Sequence, residues 1–366
     1  MGCQQSPMED LVKMRKVNQE FWKRKRVFLT GHTGFKGSWL SLWLNSMGSI
    51  VKGYSLEPNT NPSLYNILGL DELIASEIND IRDLSKLKES INVFKPEIII
   101  HMAAQPLVRY SYQEPIETYS TNVMGTVNVL EAIRSCDTVK AVVIVTTDKV
   151  YENKEWSWGY REIEPLGGYD PYSSSKACAE LVTAAYRQSF FSKADAPSVA
   201  TARAGNVIGG GDWSEDRLIP DAIKAFQESK SLVIRNPSAT RPWQHVLEPL
   251  NGYLMLAESL FTEGRRFAQS WNFGPEDKDC KTVKWMLDDL VKIWGNDASW
   301  VLEQTAQPHE ANYLKLDCSK AKHELNWYPR WEISKVLEMI VNWHKSYSSG
   351  ADMKNICLQE IKKYNQ

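Results

Sequence analysis

From Val27 onward the apolar positions follow two alternating rhythms. "VFLT" is a continuous apolar run of strand length, and "SWLSLWLNSMG" repeats Trp39, Leu40, Trp43 and Leu44 at helical spacing before stopping at Gly48. "SIVKGYS" reads as a second strand, "IASEI" as a third, "LSKLKESINVF" as a helix and "PEIIIHMAA" as a strand that runs into a polar loop. A helix over about 119–135, with "NVMGTVNVLEAIRS", and the strand "AVVIVTT" continue the series. Continuous apolar strands alternating with amphipathic helices specify a parallel sheet covered on both faces and reached by right-handed crossovers. The expected fold class is therefore α/β, a Rossmann-type doubly wound parallel sheet.

After about residue 205 the character changes: "GNVIGGGDWSEDR" is loop-like, tryptophans become frequent, and strands are short and isolated. This predicts a smaller, partly interleaved C-terminal substrate lobe. The division expected is a polar leader or loose capping helix over 1–24, the sheet domain over 25–205, the second lobe over 206–350 and a tail over 351–366.

Composition narrows the function classes. Across 366 residues, 43 Lys and Arg nearly balance 45 Asp and Glu, and a formal charge of -2 argues against a broad nucleic-acid or anionic-membrane footprint. Any bound anion must be met by a local cluster. The six cysteines are scattered without a C-x-x-C pair, which suggests neither a metal site nor a disulfide framework and fits a reducing cytoplasm. No run of about 18 apolar residues exists and no signal-peptide centre, so neither a membrane span nor secretion is expected. "MGCQQS" satisfies the myristoylation pattern, with Cys3 placed for a second acyl chain, against the plainer reading of an unmodified polar leader. "KRKR" at Lys23 to Arg26 abuts a buried strand and reads as a solvated edge.

The glycines carry the first chemistry. Gly31, Gly34 and Gly37 stand three apart between the apolar run and the helix. A strand-to-helix turn offers free N–H groups and the positive helix end to a pyrophosphate, and a Cβ there would obstruct both turn and ligand. The pattern G-x-x-G-x-x-G in this context predicts dinucleotide binding. The second strand ends at Ser55, without the acidic residue that bonds a ribose and without an arginine for a 2′-phosphate, so NAD is preferred over its phosphorylated form. Asp80 in "DIRD" either meets the adenine half or caps a helix.

"YSSSK" places Tyr172 and Lys176 four apart on one helix face, where an ammonium near a phenol lowers its pKa and makes tyrosine a base for hydride transfer. "VTTDKVY" puts Thr147, Asp148 and Lys149 at the carboxyl end of a strand, the ligand side of an open α/β sheet. Arg217, Arg235 and Arg241 are candidate clamps for a diphosphate, since guanidinium forks match phosphate oxygens. Trp213 and Trp243 either stack on a base or pack in the core, and His32 and His245 read as packed or hydrogen-bonding histidines.

Taken in order, "GHTGFKG", "HMAA", "TTDKVY", "YSSSK", "RAGNVIGGGDW" and "RPWQHVLEPL" resemble the extended short-chain dehydrogenase/reductases over almost the whole chain after about residue 20. More narrowly, they look like the NAD-dependent CDP-glucose 4,6-dehydratases. The leader is longer than that family usually shows, which makes Met14 a candidate start. The resemblance implies cofactor contacts from Gly31, Thr33, Gly34, Phe35, Lys36, Gly37, Asp80, Ile81, Ala103, Ala104, Tyr172 and Lys176. It implies substrate contacts from Gln105, Arg109, Asn206, Arg235 and Arg241, with Arg217 added from its charge.

It also implies a lyase that oxidises glucose at C4, eliminates water across C5 and C6, and returns hydride to C6 for deoxysugar and O-antigen biosynthesis. Tyr172, aided by Lys176 and Thr147, takes the O4 proton; Asp148 is the acid at O6. The related dTDP-glucose dehydratases carry a glutamate where this chain has Lys149, so Lys149 either takes the C5 proton from a desolvated site or stays charged and stabilises the enolate. A homodimer through the helices around 119–135 and 172–190 is expected. The alternatives are a dTDP- or UDP-glucose dehydratase, a 4-epimerase, which needs no acid-base pair for dehydration, and a cofactor-sensing regulatory protein, which would not need both Tyr172 and Lys176.

Overall fold

The computed structural model describes residues 15–295, 298–303 and 312–366. Seven strands form one sheet: β1 (Arg26–Thr30), β2 (Ile50–Ser55), β3 (Ala75–Ile78), β4 (Ile98–His101), β5 (Ala141–Val145), β6 (Ser198–Ala204) and β7 (Ser270–Phe273). Their spatial order is 3-2-1-4-5-6-7 with every pairing parallel. The order reverses between β1 and β4, where Thr30 lies opposite both Tyr54 and His101, and the crevice at such a reversal is where open α/β sheets bind ligands.

Strand alternation sorts the core. Val27, Leu29, Ile98, Ile100 and Val143 point to one face, where they meet Trp39, Trp43 and the helix Leu247–Glu263. Phe28, Ile99, Val142 and Ile144 point to the other, against Leu87, Ile91, Val129 and Leu130 of the crossover helices. Both faces are dry, which is why these strands read as unbroken apolar runs. The expected helix at 119–135 is a longer helical run, Pro115–Tyr119 and Gly125–Ile133 joined by a π turn at Ser120–Met124.

A third cluster belongs to the C-terminal lobe, with Ile219, Ile223, Leu287, Val336 and Ile340 contributed by helices Leu218–Gln227, Val283–Trp294 and Ile333–Ser348. Yet β7 and the helix Leu247–Glu263, both beyond residue 205, complete the main sheet and its cover. Of the expected leader, residues 1–14 with the acylation motif lie outside the described residues. Residues 15–24 dock firmly: Trp22 is fully buried, its Nε1 donates to Glu258 at 2.7 Å, and Arg15 pairs with the same carboxylate at 3.0 Å. The stretch expected as a tail forms the helix Met353–Tyr364, held where the buried Tyr364 hydroxyl donates to Glu248 at 2.6 Å. Among the described residues no helix is long and apolar enough to cross a membrane.

Candidate active site

The turn after β1 is built by exclusion. Gly31 has φ +76°, and a Cβ there would sit 2.7 Å from the Ala103 nitrogen; a Cβ on Gly37 would lie 2.0 Å from the Gly31 carbonyl oxygen. These two glycines let the helix Phe35–Ser46 start against the sheet. Gly34 differs: its Cβ would meet only one atom, at 3.6 Å, and no side chain caps the helix that begins there. An uncapped helix N-terminus beside open space is the cradle a pyrophosphate requires, so the residues present fit a dinucleotide.

Neighbouring residues are placed as follows. Thr33 bonds the Ser55 hydroxyl and the Leu56 carbonyl, both at 2.9 Å. His32 is a packing residue: its ring fills the space above Gly53, its Nε2 meets Ser76 Oγ at 2.7 Å, and burial lowers its pKa to about 4. Asp80 chelates Arg82, whose Nε lies 2.8 Å away, while the helix cap is Asp83. Ile81 is buried against Gly125. The Ala103 nitrogen, with that of Met102, donates to Thr30 Oγ1 at 3.1 Å, fixing the loop that carries Ala104.

Lys36 extends out of the turn to donate to the Tyr253 hydroxyl at 3.0 Å. Burial, with Lys176 and Arg217 nearby, brings its pKa down to about 7, against the opposing charge of Asp148. The turn, the β5 exit and the second lobe therefore converge on one spot.

At that spot Asp170 caps the helix Pro171–Ser189 and so presents Tyr172 and Lys176 from its first turns. Lys176 is buried and donates to the Val145 carbonyl at 3.3 Å; burial lowers its pKa to about 8 while Glu180 supports its charge. The phenol expected to be acidified by Lys176 is not. Burial pushes Tyr172 up to about 12, and the groups that oppose it are the nearby Thr147 hydroxyl and Arg217.

Thr147 also donates to Asp148 Oδ1 at 3.0 Å. Asp148 is 2% exposed, and burial raises its pKa against Lys149, Thr147 and Arg241. Its Oδ2 has no hydrogen-bond partner and faces Gly205, whose Cβ would lie 2.5 Å away. Lys149 is half-buried beside them.

Three of the candidate cations are held by carboxylates. Arg109 pairs with Asp216 at 2.9 Å, Arg235 with Glu303 at 2.9 Å, and Arg217 with Asp212 at 3.4 Å. Arg241 is buried, with Nη1 on the Thr240 carbonyl at 3.0 Å. The Asn206 carbonyl takes the Gln244 nitrogen at 3.0 Å, leaving its amide side chain for other use. Gln105 spends its amide on Thr118 Oγ1 of the helix Pro115–Tyr119 and on the Leu107 backbone of its own loop. Trp243 and Trp213 are packing residues, the first bonded to the Lys281 carbonyl and the second among Trp343, His344 and Tyr347. His245 is fully buried between Trp39 and Trp331, with its pKa lowered to about 3.

Two supports escape sequence reasoning. Asn122, in the π turn, accepts from the Gln105 nitrogen at 2.8 Å and donates to Ser175 Oγ at 2.9 Å, tying the β4 loop to the tyrosine helix. A buried Arg203–Glu180 pair, at 2.9 and 2.8 Å, takes Thr146 at 2.6 Å on the carboxylate and Tyr151 at 2.8 Å on the guanidinium, clamping both ends of "TTDKVY".

The model of the GDP-mannose 4,6 dehydratase family matches residues 28–340. A CDP-glucose 4,6-dehydratase of Salmonella typhimurium is 58% identical over 352 residues, covering 95% of this chain and 98% of the relative. A dTDP-glucose 4,6-dehydratase of Haemophilus influenzae is 25% identical over 89% of this chain and 99% of its own. Among solved structures, the dTDP-glucose 4,6-dehydratase of Bacillus anthracis in complex with NAD shares the fold with TM-score 0.73 and 24% identity, covering 90% of this chain and 99% of that one. The UDP-glucose 4-epimerase of Thermotoga maritima does so with TM-score 0.78 and 20% identity, covering 88% and 99%.

Proposed function

The chain belongs to the GDP-mannose 4,6-dehydratase family, and from that premise we propose that it is an NAD-dependent CDP-glucose 4,6-dehydratase, a lyase forming CDP-4-keto-6-deoxyglucose. The observation that carries this reading is the buried Asp148 beside Tyr172, bonded by Thr147 and raised in pKa, because a proton donor in a dry pocket is what departure of the C6 hydroxyl needs and what an epimerase does not. The 58% identity to the Salmonella enzyme supports the base.

The residues that would hold NAD are the turn Gly31–Gly37 at the helix N-terminus, the Ala103–Ala104 loop, and Tyr172 with Lys176. Bound NAD supplies hydride storage: the C4 hydride is kept between oxidation and its return at C6. Tyr172 takes the O4 proton. The ketone acidifies C5, Lys149 removes that proton and later returns it, and Asp148 protonates O6 so that it leaves as water. Arg217 and Arg235 hold the diphosphate by exchanging their present carboxylate partners for phosphate oxygens, Arg241 joins them from its buried position, and Arg109 lines the sugar mouth.

A homodimer through the helices of 115–133 and 171–189 is supported by the exposed apolar side chains Ile116, Tyr119, Met124 and Leu181 on them. The workplace we propose is the cytoplasm, in keeping with free thiols at Cys136, Cys178, Cys280, Cys318 and Cys357. Incubating the purified protein with CDP-, dTDP- and UDP-glucose, with and without NAD, and reading products by NMR tests the reading. A 4-keto-6-deoxy product from CDP-glucose supports it; a C4 epimer, or no turnover of any of the three, refutes it.

A further inference from the structure

Proton balance across the proposed cycle leaves a gap. Oxidation removes a proton from O4 and elimination delivers a proton to O6, while the C5 proton goes to Lys149 and back. Lys149 cannot supply O6 without leaving C5 unprotonated. Tyr172 thus ends each turnover one proton richer and Asp148 one poorer.

Three features of the site bear on how that proton moves. Asp148 is sealed: 2% exposed, with its Oδ2 lodged against Gly205 and its Oδ1 bonded to Thr147. Thr147 is itself buried and lies close enough to Tyr172 on its other side to act on the phenol. Thr147 donates to Asp148 at 3.0 Å and accepts from the Lys149 nitrogen at 3.4 Å, which leaves its second lone pair to accept from the phenol.

We propose that Tyr172, Thr147 and Asp148 form a one-way proton relay, through which the proton removed from O4 becomes the proton that leaves in water at O6. As the C4 hydride departs, the O4–H bond breaks toward Tyr172, the Tyr172 O–H toward Thr147 and the Thr147 O–H toward Asp148. Tyrosine and threonine end as they began, and Asp148 passes from carboxylate to acid. In elimination the Asp148 O–H bond breaks toward O6, water leaves, and the carboxylate is restored. The transfer from O4 to O6 takes no proton from solvent and requires no further reactant. The relay rests on the dehydratase reading and adds to it: Asp148, placed as the acid of the second step, is also the proton acceptor of the first.

Stopped-flow measurement of nicotinamide reduction in the NAD-loaded enzyme, mixed with CDP-glucose, separates the two roles. If Asp148 acts only at O6, Asp148→Asn reduces NAD at the wild-type rate and stalls with the reduced cofactor accumulated; that result overturns the relay. The relay predicts that Asp148→Asn and Thr147→Val both slow reduction itself by about 10²-fold, the usual worth of a positioned proton acceptor. Thr147→Ser, which keeps the hydroxyl, stays within about tenfold of wild type on the same scale. Its falling as far as Thr147→Val, or Thr147→Val keeping the wild-type rate, counts against the proposal. CDP binding by calorimetry establishes that each variant is folded, and Thr147→Ala replaces the valine variant if that one fails. Wild-type enzyme that never reduces NAD on CDP-glucose sinks the dehydratase reading instead, a result distinct from all of these.

Discussion

Replacing Glu180 by glutamine tests how the catalytic segment is held. The carboxylate accepts from Arg203 Nε and Nη2, from Thr146 and Thr201 at 2.6 Å each, and from Ser270 at 3.2 Å. Both charged side chains are 2% exposed. Glutamine keeps the shape but has one acceptor oxygen, and its amide points donors at donors. Removing one partner of a buried pair costs about 3–5 kcal/mol, because the other charge stays behind unpaired. Glu180→Gln and Arg203→Met should therefore each destabilise by about that much, and the double variant by less than either, since no lone charge remains. Urea unfolding followed by tryptophan fluorescence at neutral pH measures all three. Burial pushes the Glu180 carboxyl up, but Arg203, Thr146 and Thr201 more than reverse it, so its folded pKa lies below the unfolded value. The stabilisation is thus present above the unfolded carboxylate pKa, about 4.3, and fades as pH falls below it. Since Thr146 and Tyr151 flank Thr147, Asp148 and Lys149, kcat should fall more than KM in the single variants. Singles costing under about 1 kcal/mol, or a double equal to their sum, would refute the clamp.

Other expectations follow from the same geometry. Gly34→Ala, with only one atom near its added Cβ, should melt like wild type yet lose NAD affinity in calorimetry, whereas Gly37→Ala, at 2.0 Å from a carbonyl oxygen, should lower the melting temperature. Tyr172→Phe should abolish nicotinamide reduction. Lys149→Met should stop incorporation of solvent deuterium at C5 of the product; incorporation at the wild-type rate would remove Lys149 from the role of base. Burial raises Glu360 to about 8 and Glu248 to about 7, so the native state holds protons that the unfolded chain releases and stability falls as pH rises from about 4.3 through those values. Glu360→Gln should flatten that decline in melts taken from mildly acidic to alkaline pH, and an unchanged slope would show that Glu360 does not cause it.

What the sequence disclosed and what it hid divide along a physical line. Strands buried on both faces are written as consecutive apolar residues, and the glycine turn, the Thr147–Lys149 triplet and the Tyr172/Lys176 pair are each local in sequence, so periodicity and spacing reveal them. Side-chain partnerships across distance leave no local mark. Lys36 meets Tyr253 217 positions later, and Tyr364 closes on Glu248 116 positions earlier. Arg203 reads as one more charge until Glu180 lies beside it. The expected leader and tail fail as free segments for the same reason: what docks them is Glu258 and Glu248, two buried carboxylates on a helix that looks merely apolar in sequence.

The ionisation of Tyr172 is the most instructive departure, because spacing alone made Lys176 its activator. A lysine four residues along a helix is near in projection, but here its ammonium turns inward to the Val145 carbonyl and the field of Glu180, and the phenol is left to burial. A tyrosine held near 12 is a poor reservoir of phenolate at neutral pH and a good middle member of a chain that gains and loses a proton together. Asp148, raised by the same burial and sealed from solvent, is the acceptor such a chain needs. On that account the dry pocket does not work against the chemistry: the burial that denies Tyr172 a resting charge is what makes Asp148 ready to receive its proton.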